Sequence, residues 1–298
     1  DLIENVINIR RKVMKILILH LSDIHFEKNS DISNENINAI VNAIKTTSDF
    51  ASVIIIVSGD IAFSGKVSQY NIAYRFFKSL RDKIRRKFDI GQIEFCIVPG
   101  NHDVNHDMNE LSRKELENIF NCNKQDEYLD AEKQKMRAFY NHANGLYCFT
   151  DRKSLVYTKE IVISGTTIRV NLINTGVYSL KIEEDQGFHY LPNYEIDKLC
   201  KESKSDYIFT VMHHPHHWYN GLMKKNLENC IYEKSDLIFV GHEHYSSTME
   251  IGYNNSQVKI YSGGELSNKG DWKNSEFYAG ILDLQTRESN IYKYKWND

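Results

Sequence analysis

Apolar residues in this chain of 298 residues gather into short continuous runs, separated by stretches of helical period. The runs are KILILHL (15–21), ASVIIIV (51–57), IEFCIV (93–98), IRVNLIN (168–174), YIFTVM (207–212) and DLIFV (236–240). Their length and β-branched content predict strands buried on both faces of a sheet. Between the first two runs, Ser33 is placed to cap a helix carrying Ile37, Ile40, Val41 and Ile44 at i, i+3, i+4, i+7. Between the second and third, Tyr70, Ala73, Tyr74, Phe77 and Ile84 predict another amphipathic helix. Strand, helix, strand, helix, strand is the order of a layered α/β core.

The period changes after residue 103. Residues of about 104–150 are polar, helix-prone and without a strand run, which predicts a helical insertion. From 246 to 297 short alternating stretches return, STMEIGY, QVKIYSGG, FYAGILDL and SNIYKYKW, expected as an antiparallel β segment beside the first half. No internal repeat or Pro-rich hinge interrupts the chain. The expected organisation is an N-terminal extension over 1–13 and one domain over 14–298, with Met14 as a natural start or the whole as part of a longer chain.

Composition narrows this only slightly. With 41% apolar and 26% charged residues the chain is ordinary globular material, long enough to bury a sizeable core. A net charge of −3 gives no global field toward nucleic acid or anionic membrane, although RDKIRRK (81–87) is locally basic. The apolar runs are too short to span a membrane. Five scattered cysteines without a C-x-x-C pair suggest neither a disulfide framework nor a thiolate zinc site, and a reduced cytoplasmic setting is expected.

The chemistry lies just after the strand runs. KILILHL is followed by Asp23 and His25, ASVIIIV by Asp60, and IEFCIV by Asn101, His102 and Asp103. YIFTVM is followed by His213, His214, His216 and His217, and DLIFV by His242 and His244. Ligands bind open α/β sheets at these carboxyl ends. Eight of the twelve histidines fall in four such segments, whereas His20, inside a strand run, reads as structural. His106, His142 and His189 read as surface or insertion residues, with His189 a weak pocket candidate. VSGDIAFSGK (57–66) superficially suggests a phosphate loop, but five residues separate Gly59 from Gly65 and Val67 stands where a Ser or Thr hydroxyl is required. Carboxylate, imidazole and carboxamide donors without thiolate suit manganese, iron or zinc, and seven of them suit two ions sharing one carboxylate better than one tetrahedral ion. Gly59, Gly100 and Gly241 are expected where backbone turns sharply beside the metals.

In order, D-x-H, GD, GNHD, a strand ending in HHP, and G-H-x-H resemble the motif series of the calcineurin-like metallophosphoesterases over residues 15–245. The resemblance implies a two-sheet α/β/β/α sandwich with a dinuclear centre at one edge. One divalent ion (Mn, Fe or Zn) would be held by Asp23, His25, Asp60 and His244, the other by Asp60, Asn101, His213 and His242, with Asp60 as bridge. His102 matches the family's catalytic histidine, which protonates the leaving oxygen, and Asp103 is the candidate to orient it. Two ions would lower the pKa of a bridging water and neutralise the phosphate oxygens. The protein-phosphatase branch carries GD-x-x-DRG, and the matching positions here are Phe63, Ser64 and Gly65. Loss of that arginine favours a phosphodiester of a nucleotide or single-stranded nucleic acid over a phosphomonoester. His214, His216, His217 and Trp218 are candidate substrate-lining residues, with Trp218 and Tyr219 able to stack on a base. A phosphomonoesterase, a single-strand nuclease domain of a larger bacterial protein, and a catalytically silent metal-binding scaffold are the other readings left open.

Overall fold

The computed structural model describes residues 14–30, 34–44, 50–108, 114–115, 125–148, 154–180, 185–254, 256–267 and 271–296. The expected extension over 1–13, the Ser33 cap, Cys122 and part of the insertion lie outside these residues.

Two sheets pack face to face. The first has the order β11-β10-β1-β2-β3 and the second β4-β5-β6-β7-β9-β8. In the first, β1 (Lys15–Leu21), β2 (Ser52–Ser58) and β3 (Gln92–Val98) run parallel. β10 (Glu276–Asp283) and β11 (Ser289–Lys295) extend it antiparallel beside β1. In the second, β5 (Thr166–Ile173), β6 (Tyr207–Met212), β7 (Leu237–Val240) and β9 (Ser256–Ser262) are parallel, with β4 (Val156–Ile163) and β8 (Ser247–Tyr253) antiparallel at its edges. The six apolar runs are all strands. β4 carried no sequence signal, because its VYTKEIVI pattern alternates burial at a sheet edge instead of being buried throughout.

The expected C-terminal β segment is not one unit. β8 and β9 complete the second sheet while β10 and β11 complete the first. Local alternation predicts strands but carries no information on which distant edge each one joins.

Helices α1 (Asn34–Ala43) and α2 (Val67–Phe88) cover the first sheet. α2 buries Tyr70, Ala73, Phe77, Leu80 and Ile84, with the Phe77 ring 5.9 Å from Phe95 on β3, whereas Tyr74 is exposed. The insertion contributes α3 (Gln125–Gln134) and α4 (Arg137–Gly145), and α4 buries Phe139, Tyr140, His142 and Ala143. α5 (Asn193–Cys200) and α6 (Gly221–Lys234) pack against each other and cover the second sheet. The result is the α/β/β/α sandwich expected from the sequence. Among the described residues no helix is long and apolar enough to cross a membrane.

Contrary to the expectation of free thiols, Cys200 at the end of α5 and Cys230 in α6 form a disulfide, with Cα atoms 5.2 Å apart. A separation of 30 residues hides this pairing, which depends on helix packing.

Candidate metal centre

The loops after β1, β2, β3, β6 and β7 meet at one end of the two sheets. Their backbone is unusual. Asp23 (φ 51°), His25 (52°), Asp60 (53°), His242 (75°) and His244 (58°) all adopt the left-handed region. For non-glycine residues this costs of order 1 kcal/mol each and persists only where surroundings over-determine it. Here the loops clamp one another. The Asp23 N–H donates to the Gly59 carbonyl (3.2 Å), and those of Ile24 and His25 donate to the Asp60 carbonyl (2.8 and 2.9 Å). The His242 N–H donates to Asp23 Oδ2 (3.2 Å) and the Gly241 N–H to the His213 carbonyl (3.0 Å).

Two glycines make room for this convergence. Gly59 has φ +99°, and a Cβ there would stand 2.5 Å from His213 Nδ1. Gly100, where a sharp turn was expected as well, allows close approach: a Cβ there would lie 2.2 Å from Asp60 Oδ1.

The side chains form two adjoining sets. Asp23, His25, Asp60 and His244 have ligand-capable atoms within 4.8 Å of one another. His244 Nε2 is 3.4 Å from Asp23 Oδ1, and His25 Nε2 is 4.0 Å from Asp60 Oδ2. On the other side, Asn101 Oδ1 is 3.1 Å from both His213 Nε2 and His242 Nδ1, and those two nitrogens are 3.3 Å apart. Asp60 Oδ2 joins the sets, lying 3.3 Å from His213 Nε2. Asp23 and Asp60 are fully buried, whereas His244 opens to solvent.

Asp23 Oδ1, Asp60 Oδ2 and both ring nitrogens of His25 are buried without a hydrogen-bond partner. Orphaned acceptors at this density are expensive unless a cation completes them. The residues therefore fit divalent metal, and the oxygen and imidazole donor set is the one such ions use.

Charge distribution agrees. Burial alone would raise the Asp60 carboxyl, but the charge and hydrogen bond of His213 together with the charges of His25 and His102 outweigh it and hold the group well below the carboxylate range. Burial would lower His213, yet the Asp60 carboxylate lifts it to about 9. Burial pushes His25 down to about 4 and His242 to about 3, leaving both neutral and able to ligate. His214, fully buried beside His189, is also held neutral.

Several supporting groups carried no motif. His20 Nε2–H donates to Ser58 Oγ (2.8 Å), Ser58 donates to Ser22 (2.9 Å), and Ser22 donates to Asp23 Oδ2. His20 is structural, as expected, but it begins a buried chain that orients a candidate ligand. His213 Nδ1–H donates to the Ser58 carbonyl (2.7 Å), which turns Nε2 toward the centre.

Other expectations are corrected. Asp103 does not orient His102. Its buried carboxylate accepts the N–H groups of Ile61 (3.2 Å), Ala62 (2.9 Å) and Gly100 (3.0 Å) and the Tyr70 hydroxyl (2.6 Å), tying the β2 and β3 loops together. The His102 ring is instead set by Nδ1–H donation to the Phe63 carbonyl (2.8 Å), and its own N–H donates to Asp60 Oδ1 (2.8 Å). His216 and His217 are engaged by carboxylates, with Nε2 3.0 Å from Glu228 and 2.9 Å from Glu243 respectively. Trp218, half-buried, stands edge-to-face against the candidate ligand His242 at 4.1 Å, whereas Tyr219 is buried and offers no open stacking face. His142 and His189 are buried, not superficial: His142 on α4 packs against Tyr70 and Phe77 of α2, and His189 packs against His214, Trp218 and Tyr219 of the loop after β6. His106 donates from Nε2 to the Asn101 carbonyl (3.3 Å).

The calcineurin-like phosphoesterase family matches residues 16–246. The chain is 23% identical over 306 residues to the uncharacterized metallophosphoesterase-like protein YydB of Bacillus subtilis (strain 168), covering 95% of this chain and 60% of that protein. It thus spans less than two thirds of that relative's length. Among solved structures it is similar to Vps29 of Entamoeba histolytica complexed with Zn+2, at 12% identity and a TM-score of 0.35 over 94% of this chain and 99% of that one. Vps29 of Cryptosporidium parvum matches at 11% identity and a TM-score of 0.34 over 96% and 100%. Similarity of that degree adds nothing about ligands. The family match spans the five loops that meet at the centre, and the chain belongs to the calcineurin-like phosphoesterases, a family of metal-dependent phosphoester hydrolases.

Proposed function

We propose that the protein hydrolyses phosphodiester bonds of a nucleotide or nucleic acid at two divalent ions. Asp23, His25, Asp60 and His244 hold one, and Asp60, Asn101, His213 and His242 hold the other. The observation that carries this is Asp60 Oδ2, buried without a hydrogen-bond partner, 4.0 Å from one set of donors and 3.3 Å from the other. When bound, the ions (Mn, Fe or Zn) lower the pKa of water and neutralise phosphate oxygens.

His102 is the general acid. Its Nδ1–H is committed to the Phe63 carbonyl, so the proton given to the leaving oxygen is the Nε2–H of the imidazolium form, and the ring returns to the neutral Nδ1–H tautomer once it is given. Beside it lies a cleft of about 190 Å³ lined by Phe63, Val104, Leu180, His106 and Asp107. Apolar walls on the leaving-group side suit an organic alcohol such as a nucleoside. Among the described residues, the ion pairs of the seven ligands involve no Arg or Lys, which favours a monoanionic diester over a dianionic monoester. The cytoplasmic setting stays part of this reading, and the Cys200–Cys230 pair stands against it.

The test is metal analysis of purified protein, then turnover of bis(p-nitrophenyl) phosphate against p-nitrophenyl phosphate with added manganese. Two ions per chain, preference for the diester and loss of turnover in Asp60→Asn are expected. An active Asp60→Asn variant refutes the bridge, and a metal-loaded but inert wild type makes the chain a scaffold.

A further inference from the structure

One buried polar atom at the centre is assigned no role by the ligand set. His214 is fully buried, its Nε2 has no hydrogen-bond partner, and one ring nitrogen each of His213, His214 and His242 lie within 4.8 Å of one another. Its ring centroid is 4.4 Å from that of His242 and 4.8 Å from that of His213, with the His189 ring packed on it at 3.9 Å.

Hydrogen-bond accounting sets its tautomer. The Thr175 hydroxyl accepts the His214 backbone N–H (3.1 Å) and lies 2.8 Å from His214 Nδ1. Thr175 is itself buried. If Nδ1 were the donor, the hydroxyl would accept twice and its own proton would have no acceptor. Satisfaction requires the hydroxyl to donate to Nδ1, which places the ring proton on Nε2. That nitrogen then cannot ligate a metal. It is a buried donor in need of an acceptor. His189 is fixed from the same residue, donating from Nδ1 to the Thr175 carbonyl (3.1 Å), so Thr175 positions both stacked rings.

We propose that His214 is a catalytic hydrogen-bond donor whose Nε2–H contacts a non-bridging phosphoryl oxygen of the ester, with Thr175 as the residue that holds it in the donor tautomer. This rests on the phosphoesterase reading above. It supplies the chain's own replacement for the absent arginine: a neutral N–H, which serves a single negative oxygen without pairing a dianion. A donor aimed at developing charge contributes about 10²–10³ in kcat.

The experiment uses the full chain and three variants. Two-bond ¹⁵N–¹H correlation of the metal-free protein should show His214 as the Nε2–H tautomer, with Thr175→Val shifting it toward Nδ1–H. In the manganese-loaded protein, His214→Asn should keep the wild-type metal content, weaken inhibition by inorganic phosphate about 10-fold or more, and lower kcat for bis(p-nitrophenyl) phosphate about 100-fold or more. His214→Gln, whose amide nitrogen can reach the Nε2 position, should recover most of that loss. Loss of one metal equivalent in His214→Asn makes His214 a ligand and overturns the proposal. So does an Nδ1–H tautomer in the wild type, or full metal with kcat and phosphate inhibition both within about threefold of wild type. A wild type inert on the diester sinks the phosphodiesterase reading instead, and the tautomer and phosphate arms still decide the donor role.

Discussion

Asp103→Asn separates two accounts of a residue next to the candidate general acid. The carboxylate serves four buried donors, with Ala62 N–H and the Tyr70 hydroxyl on Oδ1 and Ile61 N–H and Gly100 N–H on Oδ2. An asparagine oxygen can take one pair, and its NH₂ group then faces the other pair donor to donor. At about 1–3 kcal/mol for each buried donor left unsatisfied, two of them cost about 2–6 kcal/mol. A domain with about 5–15 kcal/mol of total stability survives this but melts earlier. With a urea slope near the top of the ~1–3 kcal/mol/M range, the midpoint falls by about 1 M. The assay is equilibrium urea unfolding with saturating manganese, paired with metal content and the pH profile of kcat. Because the strapped loops carry Asp60 and Asn101, metal affinity should fall with stability. The pH profile of kcat should keep its shape, since Phe63 holds the His102 ring. An unchanged midpoint together with a displaced profile would show that Asp103 acts through the imidazole, and would refute the strap.

Other outcomes follow from the same geometry. His102→Ala should lower diester turnover by about 10²–10⁴-fold while both metals stay bound, checked by metal analysis beside kinetics. Gly100→Ala brings a Cβ within 2.2 Å of Asp60 Oδ1 and 2.7 Å of His213 Nε2, so the variant should lose metal before it loses its fold, as read by metal content against circular dichroism. In the fold without metal, the Asp60 carboxylate raises the His213 imidazole from its ordinary 6.5 to about 9. The raised value means its stabilisation is complete below about pH 6.5 and disappears as pH rises through 9. Chelator-treated protein should therefore melt progressively lower across that window, by up to about 3 kcal/mol at about 1.4 kcal/mol per unit, while the metal-loaded form should not. Equal slopes for the two forms would contradict the placement of that proton.

The chain itself dictated whatever depends on neighbours in sequence. Continuous β-branched runs can only be strands buried on both faces, so six strands and the residues that follow them were legible, and with them the five loops that carry the candidate ligands. β4 escaped because half its side chains meet water, and β8–β11 were legible as strands but not as members of two different sheets. Folding in three dimensions settled everything that depends on distance between remote segments. It turned His213 Nε2 inward through the Ser58 carbonyl while Thr175 engaged His214, a distinction that two adjacent histidines in HHP do not reveal. It turned Asp103 from a partner of His102 into a strap between loops, and paired His216 and His217 with Glu228 and Glu243. The Ser22–Ser58–His20 chain and the Cys200–Cys230 pair are likewise contacts between distant segments. Hydrogen bonds and packing act over a few ångströms in space, and residues far apart in sequence have no local signal by which such proximity can be read.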